Sequence, residues 1–170
     1  MSPNSQKDNK MAEDYFLDID GIKGEATDSK HKDKIQLLTW SWSQSQSGSS
    51  ASGGGAGSGK VHMKDFSFVM GTNKASPDLM LACATGQHFK KAELICRKAG
   101  GKQQEYLKIN FTDVLISNYQ IGGAKSAELP VDQVAFNYAT IKFEYAAQKA
   151  DGSLDTPVIR GYDIKKQIKL

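Results

Sequence analysis

Only one stretch of this 170-residue chain carries the punctuation of an α-helix, and nearly everything around it alternates at period two. Ser76-Pro77 reads as an N-cap followed by proline at the first helical position. Asp78 complements the helix dipole, and Leu79, Met80, Cys83 and Ala84 fall at helical spacing until Gly86 stops the pattern. The spacing predicts a helix over about 76–87. Strand signals precede it at 16–21, 34–46 and 61–70, and follow it at 92–97, 105–121, 132–148 and 158–168. The clearest is Tyr106 to Thr112, where Leu107, Ile109 and Phe111 point one way and Lys108, Asn110 and Thr112 the other. Turns are marked by Gly100-Gly101, Gly122-Gly123 and Asp151-Gly152.

One helix among about eight strands joined by short glycine turns predicts a mainly β chain. The expected architecture is a single-domain β-barrel of two packed antiparallel sheets with one flanking α-helix. Two strands carry apolar residues on both parities. In 34–46, Ile35 and Leu37 occupy one parity and Leu38, Trp40 and Trp42 the other, which implies a bulge or burial on both faces. In 132–148, Val134, Phe136 and Tyr138 give way to Ile141, Phe143 and Tyr145 on the opposite parity. One face of a small barrel should meet solvent, so the surplus apolar surface predicts a partner.

The length is that of one domain and is enough for a core without disulfides. No run of about 18 apolar residues exists to span a membrane. Residues 1–10 are polar and lack the apolar centre of a secretory signal. They are expected to be a disordered N-terminal extension or a non-native remnant, with Met11 a candidate start and 11–170 the folded domain. Cys83 and Cys96 form neither a CxxC nor a zinc pattern and read as reduced thiols of a protein made in the cytosol. The net charge of +3 is modest and its basic residues are interleaved with acids, so nucleic acid is not indicated.

The stretch Gly53-Gly54-Gly55-Ala56-Gly57-Ser58-Gly59-Lys60-Val61 almost spells a phosphate-binding loop. Such a loop places a Ser or Thr hydroxyl on magnesium where this chain has Val61, and it leads into a helix, whereas the residues after Lys60 read as a strand. A Gly/Ser connection between two strands is the better reading. Other chemistry is equally unsupported. His31, His62 and His88 lack metal-ligand spacing, and no G-x-S-x-G surrounds a serine. Asp18 and Asp20 read as a solvated strand face rather than a catalytic pair, and Asp18-x-Asp20-Gly21 lacks the other positions of a calcium loop. Trp40, Trp42, Tyr106 and Tyr119 sit in alternating strands, where aromatics pack in cores or interfaces more often than they form ligand platforms. No catalytic residue, metal site or cofactor is expected.

Several segments converge on one family. They are Asp14-Tyr15-Phe16-Leu17-Asp18-Ile19-Asp20-Gly21-Ile22-Lys23-Gly24-Glu25, then Trp40-Ser41-Trp42-Ser43-Gln44-Ser45-Gln46-Ser47-Gly48, Arg97-Lys98-Ala99-Gly100-Gly101, Glu105-Tyr106-Leu107 and Gln148-Lys149-Ala150-Asp151-Gly152. In order and spacing, over essentially 11–170, the chain resembles the haemolysin-coregulated protein (Hcp) family of the bacterial type VI secretion system. The resemblance implies a homohexameric ring around a wide pore, with rings stacked into an inner tube that is similar to phage tail tubes. It further implies a contractile sheath and a valine-glycine-repeat spike protein as partners, small effectors in the lumen, assembly in the bacterial cytoplasm and export without a signal peptide or membrane insertion. Under that reading Ser41, Ser43, Gln44 and Ser45 are candidates to line the lumen, an ordinary solvated strand end being the alternative. Gly53, Gly55, Gly57, Gly59 and Lys60 become a ring-contact loop. The rival from another class is a monomeric β-barrel binding module for carbohydrate or nucleic acid.

Overall fold

The computed structural model describes residues 13–47, 61–98 and 103–170. In chain order it contains β1 (Glu13–Ile19), β2 (Ile35–Gln36), β3 (Thr39–Ser41), β4 (Gln44–Gln46), β5 (Val61–Met63), β6 (Phe66–Gly71) and α1 (Ala75–Thr85). There follow β7 (His88–Lys98), β8 (Glu105–Gly122), β9 (Val131–Asn137), β10 (Thr140–Tyr145), β11 (Val158–Asp163) and β12 (Ile168–Lys169). The expected class holds: mainly β, two packed antiparallel sheets, one helix.

The long strand β8 belongs to both sheets. On one side it pairs with β7, which pairs with β1 and then β2. On the other, its first half pairs with β10 and its second with β9. From that line the larger sheet continues through β10 to β11 and β12, and the smaller through β9 to β6 and β3. The strand bends where the sheets part. Asp113 lies there with φ 53°, a left-handed conformation that Asp tolerates better than most side chains, and its carboxylate receives His88 Nδ1 at 2.7 Å and Lys165 Nζ at 2.5 Å.

Among the described residues no continuous ladder closes the barrel. The segment from Ile35 to Ser41 instead crosses between its margins. Leu37 N donates to Tyr15 O of β1 at 2.9 Å, and the next amide, Leu38 N, donates to Val69 O of β6 at 2.8 Å. The parity switch in this segment coincides with that change of partner: Ile35 and Leu37 point into the core, Leu38 faces out, and Trp40 turns back in to stack on Phe66 at 5.9 Å. The switch in 132–148 has a similar cause. A break at Tyr138-Ala139 separates β9 from β10, so Phe136 and Ile141 both face the core despite their opposite parities. The two parities are thus not two covered faces, as the sequence pattern suggested, but one face with a residue inserted.

The core is aromatic at its centre. Phe66, Phe111 and Phe136 lie with ring centroids 5.1 Å apart pairwise and are fully buried. Each contributes roughly 1.5–3 kcal/mol through burial alone. Helix α1 buries Leu79 and Ala82 against this core. It starts earlier than the Ser76 N-cap reading, because Asn73 Oδ1 accepts Ala75 N at 2.9 Å and so supplies the cap from outside. Ser76 is buried in the first turn, and Gly86, with φ 67°, ends the helix as expected. Two other expected strands are interrupted. The run 61–70 breaks between β5 and β6, and 158–168 turns between β11 and β12, where Asp163 Oδ1 accepts Lys166 N at 2.8 Å.

Candidate functional site

The sheet β10–β11 extends further than the barrel that it helps to enclose. Its core-facing residues pair across the strands as Ile141 with Tyr162, Phe143 with Arg160 and Tyr145 with Val158. Ile141 is 4% exposed, but Phe143 is 39%, Tyr145 47% and Val158 57% exposed, so the face that begins as core runs out of cover within four residues. Large apolar side chains left in water on a continuous face mark an interaction surface.

Opposite this extension stands a separate two-stranded sheet. β4 and β5 pair with each other, Gln44 with Met63 and Gln46 with Val61, and neither is laddered to the barrel. The root of this hairpin is fixed by side chains. Trp42 Nε1 donates to Tyr138 Oη, and Tyr138 Oη donates in turn to Lys64 O at 3.1 Å. Burial pushes the Tyr138 hydroxyl up to about 12, against the Trp42 hydrogen bond and with help from the nearby Asp65 charge, so the phenol stays protonated as a donor. Between hairpin and sheet extension lies a groove of about 950 Å³, lined among others by Gln44, Val61, Met63, Phe143, Arg160 and Tyr162. An apolar trough rimmed by carboxamides and one guanidinium suits a protein surface.

The four candidate lumen residues do not share one surface. Ser41 ends β3 on the outward face of the smaller sheet, in register with Ser67, which pairs with Ala135, which pairs with Asn118. That face also holds Thr39 and Gln133 and carries no charge along this path. Ser43 sits at the hairpin root, where its carbonyl accepts Lys64 N at 3.0 Å. Gln44 turns into the groove, while Ser45 pairs with His62 on the exposed hairpin. Sequence reasoning missed the neutral face of the smaller sheet. Its signal was available in β6, where Phe66, Phe68 and Met70 are buried and Ser67 faces out. Gly53, Gly55, Gly57, Gly59 and Lys60 lie outside the described residues, as do residues 1–10.

Residues considered for catalysis are occupied otherwise. His31 stacks on Phe16 at 4.6 Å, and Asp18 pairs with Lys34 at 3.4 Å. Burial, with the Glu13 charge adding to it, raises the Cys96 thiol to about 12 against a Trp40 hydrogen bond, which leaves it protonated and unreactive, and both cysteines are free. Tyr119 Oη donates to buried Asp132 at 3.0 Å, and Tyr106 packs edge-on against Tyr145 at 6.4 Å. Among the described residues no group of three His, Cys, Asp or Glu side chains could hold a metal ion, and no helix is long and apolar enough to cross a membrane.

Fold and groove define a class: a single-domain β-barrel protein with one helix and an uncovered sheet extension, and without an assembled catalytic constellation among its described residues. The family model described as "Type VI secretion system effector, Hcp" matches residues 16–145, and the chain belongs to the Hcp family of type VI secretion. It is 47% identical over 161 residues to Protein hcp1 of Pseudomonas aeruginosa, covering 94% of this chain and 99% of that protein. The crystal structure of Hcp1 from Salmonella typhimurium shares 34% identity and a TM-score of 0.76, covering 94% of this chain and 100% of its own. A solved type six secretion system protein reaches a TM-score of 0.88 at 28% identity, again over 94% and 100% of the two chains.

Proposed function

We propose that this chain is a non-enzymatic structural subunit of the type VI secretion tube. It closes into homohexameric rings, the rings stack, and the tube carries small effectors in its lumen. Assembly takes place in the bacterial cytoplasm, with a contractile sheath and a valine-glycine-repeat spike protein as partners, and the rings are then exported. No cofactor enters this reading. The observation that carries it is the uncovered core face at Phe143, Tyr145 and Val158 beside the hairpin groove. A surface of this kind, different from whatever it meets on the next copy, closes into a ring when the rotation between copies divides a full turn.

For the lumen wall, the support comes from the uncharged outward face around Ser41, Ser67 and Asn118. Hydroxyls and carboxamides let a folded cargo make and break hydrogen bonds without strong capture by charge or by large apolar area. Ser43, Gln44 and Ser45 belong to this proposal as the part of the hairpin next to that wall. The glycine-rich segment from Gly53 to Lys60 is assigned to the axial contact between rings. Shortening it should abolish stacking while leaving single rings intact, and unchanged stacking would remove the assignment.

The test of the ring is mass in solution. Native mass spectrometry should give about six times the 18.5 kDa subunit, and Phe143→Asp should convert it to a monomer that keeps its β-sheet circular dichroism. A wild-type monomer would overturn the ring reading and favour the rival, a monomeric β-barrel binding carbohydrate or nucleic acid.

A further inference from the structure

Ile22, whose amide donates to Ile19 O at 2.9 Å and whose side chain is buried in the main core, anchors the end of β1. Beyond it residues 23–34 travel over the outward face of the larger sheet and return into β2, and their attachment to that sheet is unusual. The backbone hydrogen bonds of this excursion close on the excursion itself: Gly24 N to Asp33 O at 2.7 Å, Asp33 N to Ala26 O at 2.9 Å and Ala26 N to Lys34 O at 3.1 Å. Its arms are in such close contact that a Cβ on Gly24 would meet Lys34 O at 2.4 Å. The excursion is therefore a small rigid body. Its ties to the barrel are made by side chains, and most are ionic.

The central tie is Arg97 of β7, 3% exposed. Its Nη2 reaches Asp14 of β1 at 2.9 Å and its Nη1 reaches Asp28 of the excursion at 2.9 Å. The second is His31, 4% exposed, whose Nε2 lies 2.9 Å from Glu105 of β8, a carboxylate that also holds Lys108 at 2.8 Å. At the margins, Lys74 Nζ lies 3.6 Å from Asp33, Lys74 N donates to Glu25 at 3.3 Å, and Lys34 Nζ lies 3.4 Å from Asp18. Beneath the excursion sits a strip of apolar surface, Phe16 and Ile95, each 2% exposed, sealed by Ala26 at 6%. The strip is on the solvent side of the sheet, apart from the main core.

The electrostatics are divided. Burial works against ionisation of Asp28, but hydrogen bonds from Arg97 and from the amides of Lys30 and His31 outweigh it and hold the carboxyl below its usual range. For Glu105, burial is likewise outweighed by Lys108 and His31, with the same net direction. Other charges facing Lys108 are Glu93 of β7 and Glu144 of β10. Yet the site is not fully satisfied: among the described residues, buried Arg97 Nε and His31 Nδ1 meet no hydrogen-bond partner. Orphaned buried polar atoms cost free energy that a closed polar network would recover, which weakens this attachment relative to the ladders around it.

We propose that residues 23–34, hinged at Ile22, form an electrostatic latch, which swings off the larger sheet as a unit when the carboxylates that hold it are neutralised or its ion pairs are screened, and so uncovers the Phe16–Ile95 strip. Closed, the outward face is polar. Open, it presents an aromatic ring and a branched aliphatic side chain next to a guanidinium that has lost Asp28 and keeps Asp14. The sign follows from the carboxylates. Both are held below their unfolded values, so their contribution to closure is complete above the ordinary carboxylate range and is lost as pH falls through their lower folded values. The main barrel, fastened by backbone ladders, stays folded through this opening.

Ala26→Cys in a Cys83→Ser background places a thiol under the latch and leaves buried Cys96 as an internal reporter of whole-chain opening. Labelling is followed with a small disulfide reagent at pH 7.5, where Asp28→Asn and Glu105→Gln stand in for the protonated carboxylates without altering thiol chemistry. Each is expected to raise the labelling rate at position 26 at least tenfold while the rate at Cys96 is unchanged. In the parent Ala26→Cys protein, raising salt from low to about 1 M should raise the rate by a smaller, graded amount, since screening at that strength acts over about 3 Å and reaches the more exposed marginal pairs Lys74–Asp33 and Lys34–Asp18 before the buried ones. That arm keeps the test open if a latch variant fails to fold. Rates at position 26 that ignore both salt and substitution, or that rise only in step with Cys96, would overturn the proposal.

Discussion

Tyr138→Phe is the sharpest test of how the hairpin is held. The substitution removes one oxygen and nothing else, and that oxygen has two jobs: it accepts from Trp42 Nε1 and donates to Lys64 O. Tyr138 is 8% exposed, so water does not replace the hydroxyl without opening the packing around it. Losing two hydrogen bonds at about 1 kcal/mol each gives a cost of about 2 kcal/mol, with Trp42 only half-buried and so at the lower end of the orphan penalty. For a domain of this size that is a fall in Tm of about 4–8 °C. Urea unfolding followed by tryptophan fluorescence, at one protein concentration because assembly shifts apparent stability, measures it. The stronger measurement is the cycle with Trp42→Phe. If the hydroxyl bridges the two elements, Tyr138→Phe should cost about 1 kcal/mol less once Trp42 is already phenylalanine. Identical costs in both backgrounds, or a loss under about 0.3 kcal/mol in the wild-type chain, would refute the bridge and with it the account of why a hairpin without ladder bonds keeps its place over the groove.

Three further outcomes are expected. Asp132→Ala should destabilise by about 2–3 kcal/mol in urea, since this fully buried carboxylate accepts Thr72 Oγ1 at 2.7 Å and Tyr119 Oη at 3.0 Å, and its loss strands both hydroxyls. Gly24→Ala should cost about 2 kcal/mol or more, because the new Cβ would meet backbone rather than a movable side chain, and thermal melts compared with Gly71→Ala, where nothing lies within 4 Å, supply the control. Stability should fall between pH 10 and 12: the folded Tyr138 hydroxyl, held up to about 12, keeps its proton while the unfolded one has lost it, and Tyr138→Phe should flatten that limb of the pH profile.

How much of this was legible beforehand depended on whether the determinant was local. The alternation from Leu107 to Phe111 placed β8, and Gly86 placed the end of the helix, because one strand face and one left-handed residue each write themselves into adjacent positions. The start of the helix was misread by a residue, since Ser76 and Asn73 both have capping chemistry and only the fold selects Asn73. The first half of β7 was invisible: His88 to Lys91 holds a lone Phe89 among polar residues, and its pairing partner sits far along the chain in β8. Opposite parities in 132–148 suggested two buried faces, because a sequence pattern does not distinguish a second face from an inserted residue at Tyr138-Ala139. The site was less legible still. Ser41 was a candidate, but the neutral face around it is assembled from four strands, and the groove exists only where a hairpin stands opposite β10–β11. Arg97 meets Asp14 and Asp28 from positions that no spacing rule connects.

The sharing of β8 between two sheets has a mechanical consequence. At about 3.3 Å per residue, its 18 residues make a beam roughly 60 Å long. Hydrogen bonds run to β7 along one edge as far as Leu115, and to β10 and then β9 along the other. A pull along this strand loads those bonds in shear, so many must fail together, whereas a pull across it would peel them one at a time. The protein is therefore stiffest along one axis. A push delivered at the Glu105 end reaches the Gly122 end through one continuous strand, which can flex at Asp113 and where its pairing register shifts, opposite Cys96-Arg97 and between Ile116 and Asn118.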